Sequence, residues 1–253
     1  ICFCMRVILT GASGRMGRQM LALFQSVGDI DVIAVDKVFA ADFDKCFPDV
    51  IGVYKSISEV KESADVIVDF SLHTAMKEVA EFALEKRIPL VVATTGHTED
   101  EKACVTCASR FIPVFMSSNM SLAIAHIKEF AAKLAVVFSD ADIEIVEVHH
   151  SKKADFPSGT ALSIAKRIVK ERGFGKLVTG QCNGRERGDI NLHSLRMGES
   201  LGEHKIIIDT GTERIIISHE THSRAVYASG ALKAMKFVMT KNNGLFGIED
   251  ILQ

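Results

Sequence analysis

Three glycines spaced three apart, Gly11, Gly14 and Gly17, stand between a short apolar run and an amphipathic one. No other feature constrains the fold of this chain as much. Met5 to Thr10 is too short for a helix and reads as a buried strand. Beyond the glycines, Met16, Met20, Leu23, Phe24 and Val27 recur at helical spacing until Gly28 stops the run. The first glycine permits a tight turn, the second lets the backbone approach a pyrophosphate, and the third lets helix and strand pack closely. The helix N-terminus turns its N–H groups toward the anion. Asp36 ends the next strand-like run, Asp31 to Val35, about 20 residues on, where a carboxylate accepts hydrogen bonds from an adenosine ribose. Lys37 beside it is placed to pair with a 2′-phosphate instead.

The strand series continues at Ala64–Phe70, Pro89–Ala93 and Ile112–Met116, with an amphipathic segment at Ala75–Lys86. A capping-box signature at Thr98-Glu99-Asp100-Glu101 opens a further helix. Strand and helix alternating at this spacing predict a parallel sheet. After about residue 120 the pattern changes. Leu122–Val137 reads as a long helix, Ile143–Val148 as a strand leading into His149-His150, and Ser158–Arg172 as a helix ended by Gly173. Strand-like runs follow at Ile190–Arg196, Lys205–Asp209 and Arg214–Ser218, the last two joined by a hairpin signal at Thr210-Gly211-Thr212-Glu213. Ser223–Met239 reads as a helix returning to the first domain. The expected class is α/β: a Rossmann-type parallel-sheet nucleotide domain over residues 1–120, completed by 225–253, plus an α+β substrate and oligomerisation domain over 121–224 with a mixed open sheet.

Composition closes off other classes. A chain 47% hydrophobic and 25% charged is globular rather than disordered, and a net charge of −2 argues against a nucleic-acid partner. No apolar run reaches the roughly 18 residues a membrane span needs. The opening Ile1-Cys2-Phe3-Cys4-Met5 lacks the marks of a signal peptide, so Met5 is read as the natural start and the cytoplasm as the address. Cys104-x-x-Cys107 is the only cysteine pair at metal or redox spacing; without a second pair it reads as two small residues on a helix face.

Chemistry-bearing residues concentrate between Glu147 and Leu162. Ser158, Gly159 and Thr160 open a helix, where amides and hydroxyls bind a carboxylate or phosphate. His149, His150, Lys152 and Lys153 just upstream offer acids and cationic anchors. Such a loop suits a small acidic substrate that accepts protons. Adjacent residues on a strand point to opposite faces, so His149 and His150 do not share one metal ion; His193, His204, His219 and His222 read as scattered strand-end residues, and no metal is expected. Short-chain dehydrogenase chemistry needs Tyr-x-x-x-Lys, yet four residues beyond Tyr54 and Tyr227 stand Ser58 and Ala231.

Together these motifs resemble the 4-hydroxy-tetrahydrodipicolinate reductase family, long called dihydrodipicolinate reductase, of lysine and diaminopimelate biosynthesis. The resemblance runs through the Gly11–Gly17 loop with Arg15 and Arg18, then Val68-Asp69-Phe70-Ser71, Ala93-Thr94-Thr95-Gly96 and Ser118-Asn119-Met120-Ser121. Its most specific stretch is His149-His150-x-x-Lys153-x-Asp155-x-Pro157-Ser158-Gly159-Thr160. Gly202-x-His204 and His219-x-x-x-Ser223-Arg224 keep the rhythm downstream. The resemblance implies NADH or NADPH as cofactor and a small dicarboxylate heterocycle as substrate. It implies His149 as general acid, Lys153 as second proton donor, and His150, Lys153, Ser158, Gly159, Thr160 and Arg224 as substrate contacts. Nucleotide contacts fall on Gly11, Ala12, Ser13, Gly14, Arg15, Met16, Asp36, Lys37, Thr94, Thr95, Gly96, Ser117, Ser118, Asn119 and Met120. A homotetramer, assembled through the second domain's sheet, is implied as well. Ala93, Met120 and Phe156 depart from the commoner glycine, aromatic and alanine. Two other classes are weighed: a non-catalytic NAD(P)H sensor, which needs no proton donors, and a semialdehyde dehydrogenase, for which Cys182-Asn183 is the only loop nucleophile.

Overall fold

The computed structural model of the protein describes residues 5–180 and 184–252. The extension at 1–4 and the Cys182-Asn183 pair weighed above lie outside the described residues. The chain divides into two compact units, residues 1–120 with 224–253, and residues 121–223. The first unit opens with β1 (Met5–Thr10), α1 (Arg15–Val27), β2 (Ile30–Val35), the single turn α2 (Phe43–Cys46), β3 (Val50–Tyr54) and β4 (Val66–Asp69). It continues through α3 (Met76–Lys86), β5 (Leu90–Val92), α4 (Glu99–Ala108) and β6 (Pro113–Met116). The second unit holds α5 (Leu122–Val137), β7 (Asp142–His149), α6 (Gly159–Arg172), β8 (Leu177–Thr179), β9 (Ile190–Arg196), β10 (Glu203–Asp209) and β11 (Arg214–Glu220). The chain then returns to the first unit with α7 (Ala225–Val238) and β12 (Gly244–Phe246).

Seven parallel strands of the first unit pair in the order β12-β6-β5-β4-β1-β2-β3. The order reverses between β1 and β4, so the loops leaving those two strands diverge and open a crevice at their carboxyl ends. Val7, Ile8, Leu9, Val66, Ile67, Val68, Leu90, Val91 and Val92 are fully buried. Helices cover both faces, with α1 beside α7 and α3 beside α4, which is why these strands are unbroken apolar runs rather than alternating ones. Helix α1 buries Met20, Leu21 and Phe24, each stabilising the fold by about 1.5–3 kcal/mol. Helix α4 starts at the expected capping box: Thr98 Oγ1 accepts from the Glu101 amide at 3.3 Å, and Glu101 Oε2 accepts from the Thr98 amide at 2.7 Å.

Strands β3, β8 and β12 escape the sequence reading for a physical reason. All three lie at sheet edges. β3 carries Gly52 in its middle and pairs with β2 through a register shift at Val32/Ile33; β8 and β12 are 3 residues each, too short to show a period. Among the described residues no helix is long and apolar enough to cross a membrane.

The second unit's sheet is mixed, in the order β11-β10-β7-β9-β8; β10 runs antiparallel to both neighbours, and β7, β9 and β8 run parallel. Alternation sorts its residues onto two faces. Ile143, Ile145, Ile190, Leu192, Ile206 and Ile208 fill one face, packed into a common core with Ala131, Ala135, Ile164 and Ile168 of α5 and α6. Toward the carboxyl end of β7 that same face turns polar. Glu147 and His149 follow Ile145, His204 stands across from Glu147 on β10, and Ser194 and Arg196 stand across from them on β9. The opposite face carries Val146, Val148, Leu195, Ile207 and Ile216, half-buried or exposed.

Candidate active site

In the first unit the chain leaves β1 through the glycine loop. Gly11 has a φ of +72°, and a Cβ there would stand 2.4 Å from the Phe70 carbonyl oxygen, so the turn accepts only glycine. A Cβ at Gly17 would stand 2.1 Å from the Gly11 carbonyl oxygen; the first turn of α1 therefore lies directly against the loop. Gly14 caps α1 without a side chain. Asp36 leaves β2 beside this turn, where its Oδ2 accepts from the Ser13 amide at 3.0 Å and its Oδ1 from the Val38 amide at 3.4 Å. A cavity of about 290 Å³ opens here, lined by Thr10, Gly11, Gly14, Asp36, Lys37, Lys55 and Ser71 among others, close to the lower end of the ordinary range of about 300–1,000 Å³ for ligand pockets. A loop that no Cβ can enter, an uncapped helix start and a carboxylate at the cavity wall fit a dinucleotide. Lys55 was not singled out in the sequence because the strand that positions it, β3, was not recognised there.

The other nucleotide candidates of this unit differ in what they can offer. Ala12 is fully buried, Arg15 is exposed and Met16 is half-buried. The Thr94 hydroxyl lies 3.3 Å from both the Asp69 and Ser71 carbonyls, so it braces the loop after β4, while Thr95 and Gly96 are exposed. Ser117 Oγ donates to the Asn119 carbonyl at 2.8 Å and Ser118 is exposed. Met120 is only 3% exposed, and its backbone carbonyl lies directly against Gly230 of α7, where a Cβ would stand 1.7 Å from the carbonyl oxygen. Arg224, expected among the substrate contacts, starts α7 in this unit. Buried Asp69 ties the crevice together: its Oδ1 accepts from Thr10 Oγ1 at 2.5 Å and from the Ser71 amide at 3.1 Å.

The second unit gathers its candidates at the polar end of the covered sheet face. His149, 7% exposed, ends β7 with Nδ1 3.3 Å from Glu147 Oε2. His150 follows the end of β7, its amide donating to the Ser200 carbonyl at 2.8 Å. Lys153 Nζ pairs with Asp155 Oδ1 at 2.8 Å. Ser158 caps α6, its Oγ accepting from the Ala161 amide at 3.1 Å, while its own amide donates to Glu147 Oε1 at 3.1 Å. Gly159 is exposed, and no atom lies within 4 Å of where a Cβ would stand, so an anion can approach the backbone of this first helical turn, which also includes Thr160. Arg196 stitches the loop to the sheet: it donates to Glu147 Oε1 at 3.2 Å and to the Asp155 carbonyl at 2.7 Å.

His204 corrects an expectation. Rather than one of several scattered strand-end histidines, it is buried opposite Glu147, and its ring meets that of His149 edge-on with centroids 5.3 Å apart. Burial, and then the neighbouring His149, push His204 down to about 4, so it is neutral at physiological pH. Burial pushes the Glu147 carboxyl up, but His149 and Ser158 outweigh it and hold the group well below the usual carboxylate range. Asp155 is lowered too, burial being outweighed by the Lys153 ammonium. One ligand atom from each of Glu147, His149 and His204 lies within 4.8 Å of the others, a set able to hold a metal ion; the Arg196 guanidinium already balances the Glu147 charge. Glu147, His204 and Arg196 are functional candidates that sequence reasoning left out. Their signal was a polar residue in the inward frame of strands otherwise built of isoleucine.

Comparison with known proteins adds a separate line. The family described as dihydrodipicolinate reductase, N-terminus, matches residues 5–120, and that described as dihydrodipicolinate reductase, C-terminus, matches residues 123–252. A 4-hydroxy-tetrahydrodipicolinate reductase of Caldanaerobacter subterraneus subsp. tengcongensis is 40% identical, covering 98% of both chains. One of Clostridium novyi is 34% identical, again over 98% of each. Among solved structures, a dipicolinate-bound dihydrodipicolinate reductase from Paenisporosarcina sp. TG-14 matches with a TM-score of 0.78 over 98% of this chain and 99% of that one, at 22% identity. An aspartate dehydrogenase from Thermotoga maritima shares the fold more distantly, with a TM-score of 0.54, 13% identity and coverage of 92% of this chain and 96% of that one.

Proposed function

The chain belongs to the dihydrodipicolinate reductase family, and from that membership we propose how its own residues carry the family's reaction. It is an oxidoreductase using NADH or NADPH that reduces a dipicolinate-type ring in lysine and diaminopimelate biosynthesis. The observation that carries the residue assignments is the meeting of anionic Glu147, His149 and the Lys153–Thr160 loop at one buried sheet end.

Bound reduced nicotinamide supplies the hydride. Asp36, held by the Ser13 amide, receives the ribose hydroxyls, and the glycine loop with the start of α1 receives the pyrophosphate. In the second unit Lys153 exchanges Asp155 for a ring carboxylate, and the first turn of α6 at Ser158, Gly159 and Thr160 holds the dianion with His150. Reduction pushes electron density onto the ring nitrogen or its conjugated carbon. A proton from His149 quenches that charge, with Lys153 as second donor; a positioned acid of this kind contributes about 10²–10⁴-fold. Arg224 is assigned to the substrate through the family pattern alone.

The open face of the second sheet supports self-association into a homotetramer. Leu195 and Ile216 are 49% and 55% exposed there, beside Val146, Val148 and Ile207. Light scattering on the purified protein measures this, and a monomer would refute it. A cytoplasmic address follows from dependence on the reduced nicotinamide pool. The activity itself is tested by supplying the freshly made synthase product and following loss of reduced-nicotinamide absorbance. Consumption that requires both protein and substrate is expected; none with either NADH or NADPH would refute the reading.

A further inference from the structure

We propose that Glu147 is a positioning residue that fixes the tautomer of His149, keeping a proton on Nδ1 so that Nε2 is the atom that gives one to the substrate. The proposal rests on the reading of His149 as proton donor. Glu147 and His149 stand two residues apart on β7, so both side chains project from the same face of the strand. Glu147 is fully buried and anionic, hence an acceptor only. Its Oε1 is held by the Ser158 amide at 3.1 Å and the Arg196 guanidinium at 3.2 Å. With that oxygen pinned by donors on two other segments, Oε2 is left without a hydrogen-bond partner of its own and faces His149 Nδ1, which likewise has none, 3.3 Å away. An acceptor-only neighbour demands a protonated Nδ1.

The opposite ring edge has the reverse setting. A Cβ at Gly202, whose φ is +145°, would stand 3.1 Å from His149 Nε2. Any other residue would crowd that nitrogen, so glycine keeps the edge open. Neutral His204, with Nε2 3.9 Å from Glu147 Oε2 and 3.4 Å from Ser158 Oγ, fills the remaining side without competing as a cation. The donor is the imidazolium, protonated on both nitrogens. Its Nε2–H bond breaks, the electron pair stays on Nε2, a new bond to hydrogen forms on the reduced ring, and the imidazole is left neutral with its proton on Nδ1, facing Glu147. A proton taken up from solvent then restores the imidazolium.

The tautomer is readable without turnover, from long-range proton–nitrogen spectra of protein labelled with ¹⁵N-histidine at a pH where His149 is neutral. Wild-type protein should show the Nδ1–H form, and an Nε2–H form would overturn the proposal. In Glu147→Gln the amide can donate to Nδ1 and should reverse the tautomer. Its kcat should fall about 10²–10⁴-fold with KM for cofactor and substrate nearly unchanged, and Glu147→Asp should restore part of it. In a His149→Ala background the same substitution should lower kcat no further, because a residue acting only through His149 has nothing left to act on. A folded Glu147→Gln with wild-type kcat, or an equal loss in the His149→Ala background, would also overturn it. Failure of the reaction reading would appear instead as wild-type protein that consumes no reduced nicotinamide while its His149 tautomer is still Nδ1–H.

Discussion

Replacing Gly17 with alanine tests whether the glycine loop is built by packing or by ligand contact. The new Cβ would stand 2.1 Å from the Gly11 carbonyl oxygen and 2.6 Å from the Ala12 Cα, both backbone atoms that no rotamer change can move. Real Cβ contacts do not fall below 3.0 Å, so α1 must retreat from the loop by about an ångström. That retreat loosens Met20, Leu21 and Phe24 against the sheet, and forced overpacking of this kind costs about 1–3 kcal/mol. With backbone on both sides the upper end applies, which for a chain of this size lowers Tm by roughly 6–12 °C. The same movement carries the helix amides away from the pyrophosphate, so NADH affinity should fall while kcat at saturating cofactor changes less. Gly14→Ala is the milder comparison: its Cβ would lie 3.2 Å from the Gly11 carbonyl oxygen, a tight contact that a shift of a few tenths of an ångström relieves, with no positive φ to strain, and it should lower Tm less than Gly17→Ala. Thermal unfolding and NADH titration of the two variants decide the matter. A Gly17→Ala protein that melts with the wild type and binds NADH equally well would refute the packing argument.

Three other outcomes are expected. Lys153→Ala should lower kcat and raise substrate KM together, whereas His149→Ala should lower kcat by about 10²–10⁴-fold with little change in KM; steady-state kinetics showing unchanged turnover in both would defeat the assignment. Asp36 repels a 2′-phosphate while Lys37 and Lys55 on the same cavity wall attract one, so NADH should serve well, NADPH should also work, and Asp36→Asn should shift the ratio of kcat/KM values toward NADPH. Absolute dependence of the wild type on NADPH would count against this. Stability should fall in acid: the unfolded chain protonates His204 near its ordinary 6.5 but the folded chain only near 4, so between those values the unfolded state binds more protons and stability drops as pH falls, by about 3 kcal/mol in all. Glu147, held low in the fold, adds a loss of the same sign at lower pH. Melting of His204→Gln should be flatter from pH 6.5 to 4 than that of the wild type, and an identical slope would sink the idea.

What could be read along the chain was whatever the chain encodes locally. Helices α5 and α6 run over Leu122–Val137 and Gly159–Arg172, as their periodicity predicts, because Ser121 and Ser158 cap them and Gly173 ends the second. Strands β3, β8 and β12 take their identity from the neighbour they pair with, and no local period announces them. The candidate site divides the same way. The glycine loop and the His149–Thr160 loop are each contiguous and legible, while the carboxylate beneath the second of them is completed from afar: Arg196 reaches Glu147 across 49 residues and His204 reaches Ser158 across 46. Only the register of β9 and β10 against β7 makes those meetings. One local sign nevertheless existed. A charged residue placed in the inward frame of an apolar strand must be compensated or it unfolds the strand, since leaving a charge buried and unpaired costs several kcal/mol. Both fully buried carboxylates described here receive such compensation on one oxygen: Asp69, which closes the Val66–Val68 run, through its Oδ1, and Glu147, which follows Ile143 and Ile145, through its Oε1. Each stands near the carboxyl end of its strand and receives hydrogen bonds from a loop that carries candidate site residues. An acidic residue continuing the inward frame of such a strand therefore marks where the loops above it are anchored, before any of its partners can be named.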